Sequence, residues 1–149
     1  MNKIEFLETF LSFYINHHVV LEDMEKGTNK YTVIDVRNAP KKVKKDKIKG
    51  SIEIPAKDLN EHLGELSKDK VYVVYDWTGG TILGKQALLE LYQNGFEAYE
   101  LAGALEGWKG MSLPLENVEW LLYQKLYCLY FIKHHSHVVF FYAEKHPVL

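Results

Sequence analysis

The apolar run Val71-Tyr72-Val73-Val74-Tyr75 leads into Asp76-Trp77-Thr78-Gly79-Gly80-Thr81, and a helical pattern follows over residues 82–94. A short unbroken apolar run reads as a strand buried on both faces, which requires helices on each side of its sheet. Leu83, Ala87, Leu88 and Leu91 fall on one helical face, and Gly95 is the expected C-terminal stop. Tyr31-Thr32-Val33-Ile34-Asp35-Val36 reads as a second buried strand, and residues 96–101 as another strand. Gly50 to Pro55 is a short strand closed by proline, residues 57–66 look helical, and residues 105–109 form a short helix before Gly110 and Pro114. At the N-terminus, Ile4, Leu7, Leu11, Tyr14 and Ile15 predict an amphipathic helix over 3–16, and residues 19–26 a short helix stopped by Gly27. Strands alternating with helices predict a three-layer α/β domain with a mainly parallel central sheet flanked by helices.

A loop that leaves a buried strand and opens a helix is a natural anion cradle. Its backbone N–H groups converge, and the helix dipole favours negative charge there. Gly79 and Gly80 admit the required dihedrals, and Trp77, Thr78, Thr81 and Ile82 complete the loop. Its first position, where a nucleophilic cysteine would make chemical sense, is Asp76. This Asp is either a relic at a strand end or the cradle's own occupant, its carboxylate accepting loop N–H bonds in place of an anion. An aspartyl nucleophile of the phosphatase kind pairs with a carboxylate two residues on, and that position holds Thr78. Arg37, the chain's arginine beside Asp35, is either an anion clamp at the cleft or a structural fork. The structural fork is the preferred reading. Trp77 either shapes the pocket mouth or packs onto a neighbouring helix, and Trp108 is expected in the core.

The 149 residues suffice for one domain, and a formal net charge of −2 favours neither nucleic acid nor membrane as partner. The single cysteine, Cys128, excludes an internal disulfide framework and suits a reducing, cytoplasmic setting. No metal or cofactor is expected, and His134, His135 and His137 read as a surface cluster. Six lysines between Lys41 and Lys49 predict a solvated loop; without interleaved aromatics they make no stacking surface for nucleic acid. From residue 116 the composition changes, with eight of the chain's twenty aromatics falling between 120 and 142. The run from Val118 to Ile132 carries Glu119, Gln124 and Lys125 and is too short and polar to cross a membrane. This C-terminal extension, 116–149, is expected to be helical with a short strand from Val138 to Tyr142. Its Trp120, Leu121, Tyr123, Leu126, Tyr127 and Tyr130 either cover the domain or form a homodimer contact. A shift of reading frame is a third explanation of its composition.

Ile34-Asp35-Val36-Arg37, Ile48-Lys49-Gly50-Ser51-Ile52-Glu53-Ile54-Pro55, Gly95-Phe96 and the series Glu100-Leu101, Gly103-Ala104, Gly107-Trp108 stand in one order and spacing. Together they resemble a single rhodanese-like domain over about residues 18–115, which makes 1–115 the domain and 116–149 the extension. The resemblance implies that Asp76 occupies the place of the sulfurtransferases' nucleophilic cysteine. It also places Thr81 where some relatives carry a second cysteine, and Lys47 where the family segment has a histidine. A rhodanese thiolate takes sulfane sulfur as a persulfide, a task for a soft nucleophile. A carboxylate is hard, and its charge repels anionic donors. Cys128, in an aromatic run, is expected to be packed rather than reactive. The resemblance therefore implies a catalytically inactive binding or regulatory module with a residual anion cradle, its partner a protein or small anion. The alternative is an active sulfurtransferase or phosphatase-like enzyme using another residue.

Overall fold

The computed structural model describes residues 2–118 together with Tyr123 and Leu126. Helix α1 (Lys3–Ser12) is closed at its start by a capping box, in which Asn2 accepts the Glu5 N–H and the Glu5 carboxylate accepts the Asn2 N–H. Strand β1 (Tyr14–Ile15) follows, then α2 (His17–Lys26), which ends on Gly27 in the left-handed conformation at φ +63°. Next come β2 (Tyr31–Asp35), the short α3 (Lys41–Lys44), β3 (Asp46–Ile48) and β4 (Ile52–Glu53). Helix α4 (Leu59–His62), strand β5 (Val71–Tyr75), helix α5 (Leu83–Gln93), strand β6 (Glu97–Leu101), helix α6 (Ala104–Gly110) and strand β7 (Leu115–Asn117) complete the described elements.

The central sheet has five strands in the order β1-β6-β5-β2-β4, every pair parallel. Val73 of β5 is opposite Val33 of β2 on one side and Tyr99 of β6 on the other. On one face, Leu59 of α4 and Ala87, Leu88 and Leu91 of α5 pack against Ile34, Tyr72 and Val74. On the other, Val20 of α2 and Leu105 and Trp108 of α6 pack against Val33, Val73 and Leu101. Two buried faces produce the three layers predicted from the unbroken apolar strands.

Three local expectations are corrected. The predicted helix 3–16 stops at Ser12, because Tyr14 and Ile15 leave it to pair with Glu100 and Leu101 at the sheet edge. Among the described residues α1 buries none of its own: Ile4, Leu7 and Leu11 remain exposed despite their helical spacing. The predicted helix 57–66 is three short pieces, with 3₁₀ turns Ala56–Asp58 and Leu63–Glu65 on either side of α4; the backbone tightens at Asp58 and His62, where ψ is −2° and −3°.

The lysine segment is not a solvated loop. It folds into α3 and β3, and β3 pairs antiparallel with β7 in a second, two-stranded sheet. Lys41, Lys42, Lys45 and Lys49 face solvent, while Lys44 and Lys47 are buried because carboxylates await them. The Lys44 ammonium lies 3.7 Å from Asp35 and 3.5 Å from Glu53. That of Lys47 lies 3.1 Å from Glu116 and donates to the Ser51 carbonyl at 2.6 Å. Residues 116–118, counted from sequence with the extension, are thereby tied to the body, with Val118 buried and its N–H on the Lys45 carbonyl. Tyr123 and Leu126 are exposed. Cys128, the three tail histidines, the 138–142 strand and the remaining tail aromatics lie outside the described residues.

Candidate functional site

In an open parallel sheet, functional groups collect where strands end and loops begin. Strand β5 delivers Asp76 to this edge, between β2 ending at Asp35 and β6 ending at Leu101. Asp76 is fully buried. Its carbonyl accepts the Leu105 N–H at 3.1 Å, and the Trp77 carbonyl accepts that of Glu106 at 3.0 Å, so α6 pins the start of the loop. Thr81 closes the turn, its N–H and hydroxyl both donating to the Thr78 carbonyl at 3.2 and 2.6 Å. The N–H groups of Thr78, Gly79, Gly80 and Ile82 meet no acceptor among the described residues. The first amides of α5 are unpaired as at any helix start.

The Asp76 carboxylate turns into its own loop, but one N–H reaches it instead of a converging set. Oδ1 accepts from Trp77 at 2.7 Å, and the buried Oδ2 has no hydrogen-bond partner among the described residues. Asp76 is fully buried at the head of the loop.

Arg37 and Asp35 are both fully buried. The guanidinium closes on the carboxylate as a fork, Nε to Oδ1 at 2.9 Å and Nη2 to Oδ2 at 2.6 Å, and Nη2 also donates to the Asp46 carbonyl at 2.7 Å. Burial works against this cation, but the Asp35 hydrogen bonds and charge outweigh it and raise its pKa. Trp77 neither guards a mouth alone nor packs on a helix alone: its ring lies 4.3 Å from the Arg37 Cζ and its edge joins the α2–α6 core. Tyr75, below, accepts the Ile48 N–H at 3.2 Å and lies 3.1 Å from the Ser51 hydroxyl; burial, then Asp35, pushes its phenol far up.

The sequence reading missed Lys85, Glu100 and His17. Glu100 is fully buried near the end of β6, and the half-exposed Lys85 reaches it from α5, its Nζ 3.2 and 3.3 Å from the two carboxylate oxygens. The same Nζ donates to the carbonyls of Gly79 at 3.2 Å and Thr81 at 3.3 Å. Burial raises the Glu100 pKa; Lys85 opposes this and the Asp76 charge adds to it. Gly84 makes the room, since a Cβ there would stand 2.7 Å from Glu100 Oε1. A charged residue inside the apolar run 96–101 was the signal available in the sequence. His17 opens α2 at the same edge. Its buried Nε2 has no partner among the described residues and would stand 2.8 Å from a Cβ on Gly107. Burial, then His18, lowers its pKa. A cavity of about 490 Å³, lined by Met24, Tyr31, Lys49 and Lys70 among others, lies at the opposite ends of β2 and β5 and shares no residue with the loop. No helix among the described residues is long and apolar enough to cross a membrane.

Residues 17–111 match the family described as the rhodanese-like domain. The comparison with curated proteins gives no match. Among solved structures, a protein from Lactobacillus plantarum is 70% identical, with a TM-score of 0.76, covering 77% of this chain and 97% of its own. A rhodanese-related protein from Thermoplasma volcanium is 28% identical with a TM-score of 0.56, over 69% of this chain and 96% of its own. The rhodanese-like domain of an Anabaena protein is 30% identical with a TM-score of 0.61, over 70% of this chain and 79% of its own.

Proposed function

The chain belongs to the rhodanese-like domain family, and from that membership we propose that it is a catalytically inactive binding or regulatory module whose β5–α5 loop is a residual anion cradle. One observation carries this reading: the first loop position holds the fully buried carboxylate of Asp76, its Oδ1 on the Trp77 N–H. A cradle of backbone N–H groups serves a sulfur-transferring enzyme by stabilising a thiolate and the persulfide made from it. A carboxylate in that position makes no persulfide. It also brings negative charge to where an anionic donor would enter, and Glu100 lies close enough to feel it. What remains is a loop whose N–H groups at Thr78, Gly79, Gly80 and Ile82 meet no acceptor among the described residues, with no reacting atom, which suits recognition of a small anion or of an acidic group on a protein partner. A chain with one cysteine suits the cytoplasm.

The test is thiosulfate–cyanide sulfurtransferase assay of the pure protein. Thiocyanate formation at background is expected. Turnover of about 1 s⁻¹ or more, the ordinary enzyme range, overturns the proposal. Asp76→Cys is expected to gain a sulfur after thiosulfate treatment, read by intact mass. A folded variant that never gains it argues that the loop is no cradle.

A further inference from the structure

In a planar trans peptide the carbonyl of one residue and the N–H of the next point in opposite directions, so whatever holds a carbonyl sets the direction of the amide that follows it. In the β5–α5 loop two carbonyls, those of Gly79 and Thr81, converge on one ammonium, the Nζ of Lys85. That ammonium is anchored from below by Glu100, a fully buried carboxylate on the neighbouring strand. Glu100 is fixed in turn, its backbone N–H donating to the Phe13 carbonyl at 2.7 Å. Its side chain occupies space that Gly84 leaves open. We propose that Lys85, braced on Glu100, is the positioning residue that holds the Gly79 and Thr81 carbonyls and so fixes the direction of the Gly80 and Ile82 amides for an oxyanion such as sulfate. The proposal rests on the cradle reading above and assigns that cradle its support.

The geometry explains why a lysine suits the task. An ammonium has three donors on a flexible stem, enough to serve two carbonyls and a carboxylate together. The charges around it are few. Glu100 faces it from β6, Asp76 acts on Glu100 from the end of β5, and the Tyr14 ring of β1 lies 5.9 Å from Nζ. Without Lys85 the Gly79 and Thr81 carbonyls lose their common donor, and among the described contacts that half of the loop keeps the Thr78–Thr81 turn.

The experiment measures loop order and sulfate binding separately. In ¹⁵N relaxation, the Gly80 and Ile82 N–H vectors of the unmutated protein are expected near the rigid value of about 0.85, and those of Lys85→Met below about 0.6, with β5 unchanged. A merely structural lysine would lower the melting temperature and leave the order of these amides as it was. The double variant Lys85→Met/Glu100→Gln removes the unpaired buried carboxylate and is expected to show the same loosening. Unchanged loop order in both variants overturns the proposal. Calorimetry with sulfate then compares Asp76→Asn with Asp76→Asn/Lys85→Met, and a roughly tenfold weaker affinity is expected once the loop is no longer preorganised. Equal affinity in the two overturns the strut and leaves the cradle standing. Absence of binding to Asp76→Asn overturns the cradle, while the loop order of Lys85→Met still decides the strut.

Discussion

Two clusters of buried charge lie along the same edge of the sheet. In the first, the carboxylates of Asp35, Glu53 and Glu116 meet the cations of Arg37, Lys44 and Lys47. In the second, Glu100 meets Lys85 and the Asp76 charge acts on Glu100. The first cluster is matched charge for charge and ties three segments of chain together, with the Arg37 Nη1 the one of its buried polar atoms that lacks a hydrogen-bond partner among the described residues. The second has an excess negative charge, an oxygen of Asp76 without a partner among the described residues, and a half-exposed lysine. Burying ions is costly unless geometry and charge are complete, so a balanced cluster belongs to the architecture. An incomplete one persists where local stability is given up for a task. Trp77 joins them, its backbone N–H on Asp76 and its ring on Arg37.

The largest effect should come from breaking the balanced cluster. Arg37→Met leaves Asp35 the backbone N–H of residue 37 and the more distant Lys44 as partners, and is expected to cost about 3–5 kcal/mol in denaturant unfolding. A loss below about 1 kcal/mol would place this cluster with exposed pairs and erase the contrast.

A smaller, pH-dependent effect distinguishes the other cluster. The folded protein holds the Glu100 proton more tightly than the unfolded chain, because its pKa is raised. Its contribution to stability therefore falls as pH rises from the ordinary glutamate value through the raised one. Glu100→Gln lacks that titration and is expected to gain on the parent protein as pH rises above the ordinary glutamate value. Thermal unfolding of both across that range checks it, and a constant difference, or one of opposite sign, removes the claim of excess charge.

The smallest change in stability is expected for Asp76→Asn. The amide oxygen keeps the Trp77 N–H bond, and stability should stay within about 1 kcal/mol of the parent. The same substitution lowers the Glu100 pKa, since the Asp76 charge helps to raise it. Carboxyl NMR titration of Glu100 measures this, and an unmoved pKa would show that the two carboxylates do not belong to one cluster.

Local pattern made much of this molecule legible. Strand β5 lies at residues 71–75 as its apolar run predicts, β2 differs by one residue from its predicted span, and α5 carries the predicted face of Ala87, Leu88 and Leu91 inward. Tyr14–Ile15 escaped detection because two residues carry no period of their own; a neighbouring strand made them a strand. Lys44 and Lys47 are chemically like the four exposed lysines beside them. Nothing but the position of Asp35, Glu53 and Glu116 decides which are buried.

By itself, then, the sequence determined the alternation of the main strands β2, β5 and β6 with their helices, the two-sided burial of the sheet and the place of the loop with Asp76 at its head. These depend on the spacing of apolar residues and on glycine, which act within a few residues of one another. Only the tertiary structure decided that Arg37 forks onto Asp35 beneath Trp77 and that Lys85 spans from the loop to Glu100. Partners fifteen residues apart, as Lys85 and Glu100 are, meet through the pairing of β6 with β5 and the packing of α5 above them. The worth of such a contact depends on the burial that the assembled fold creates, which no local pattern records.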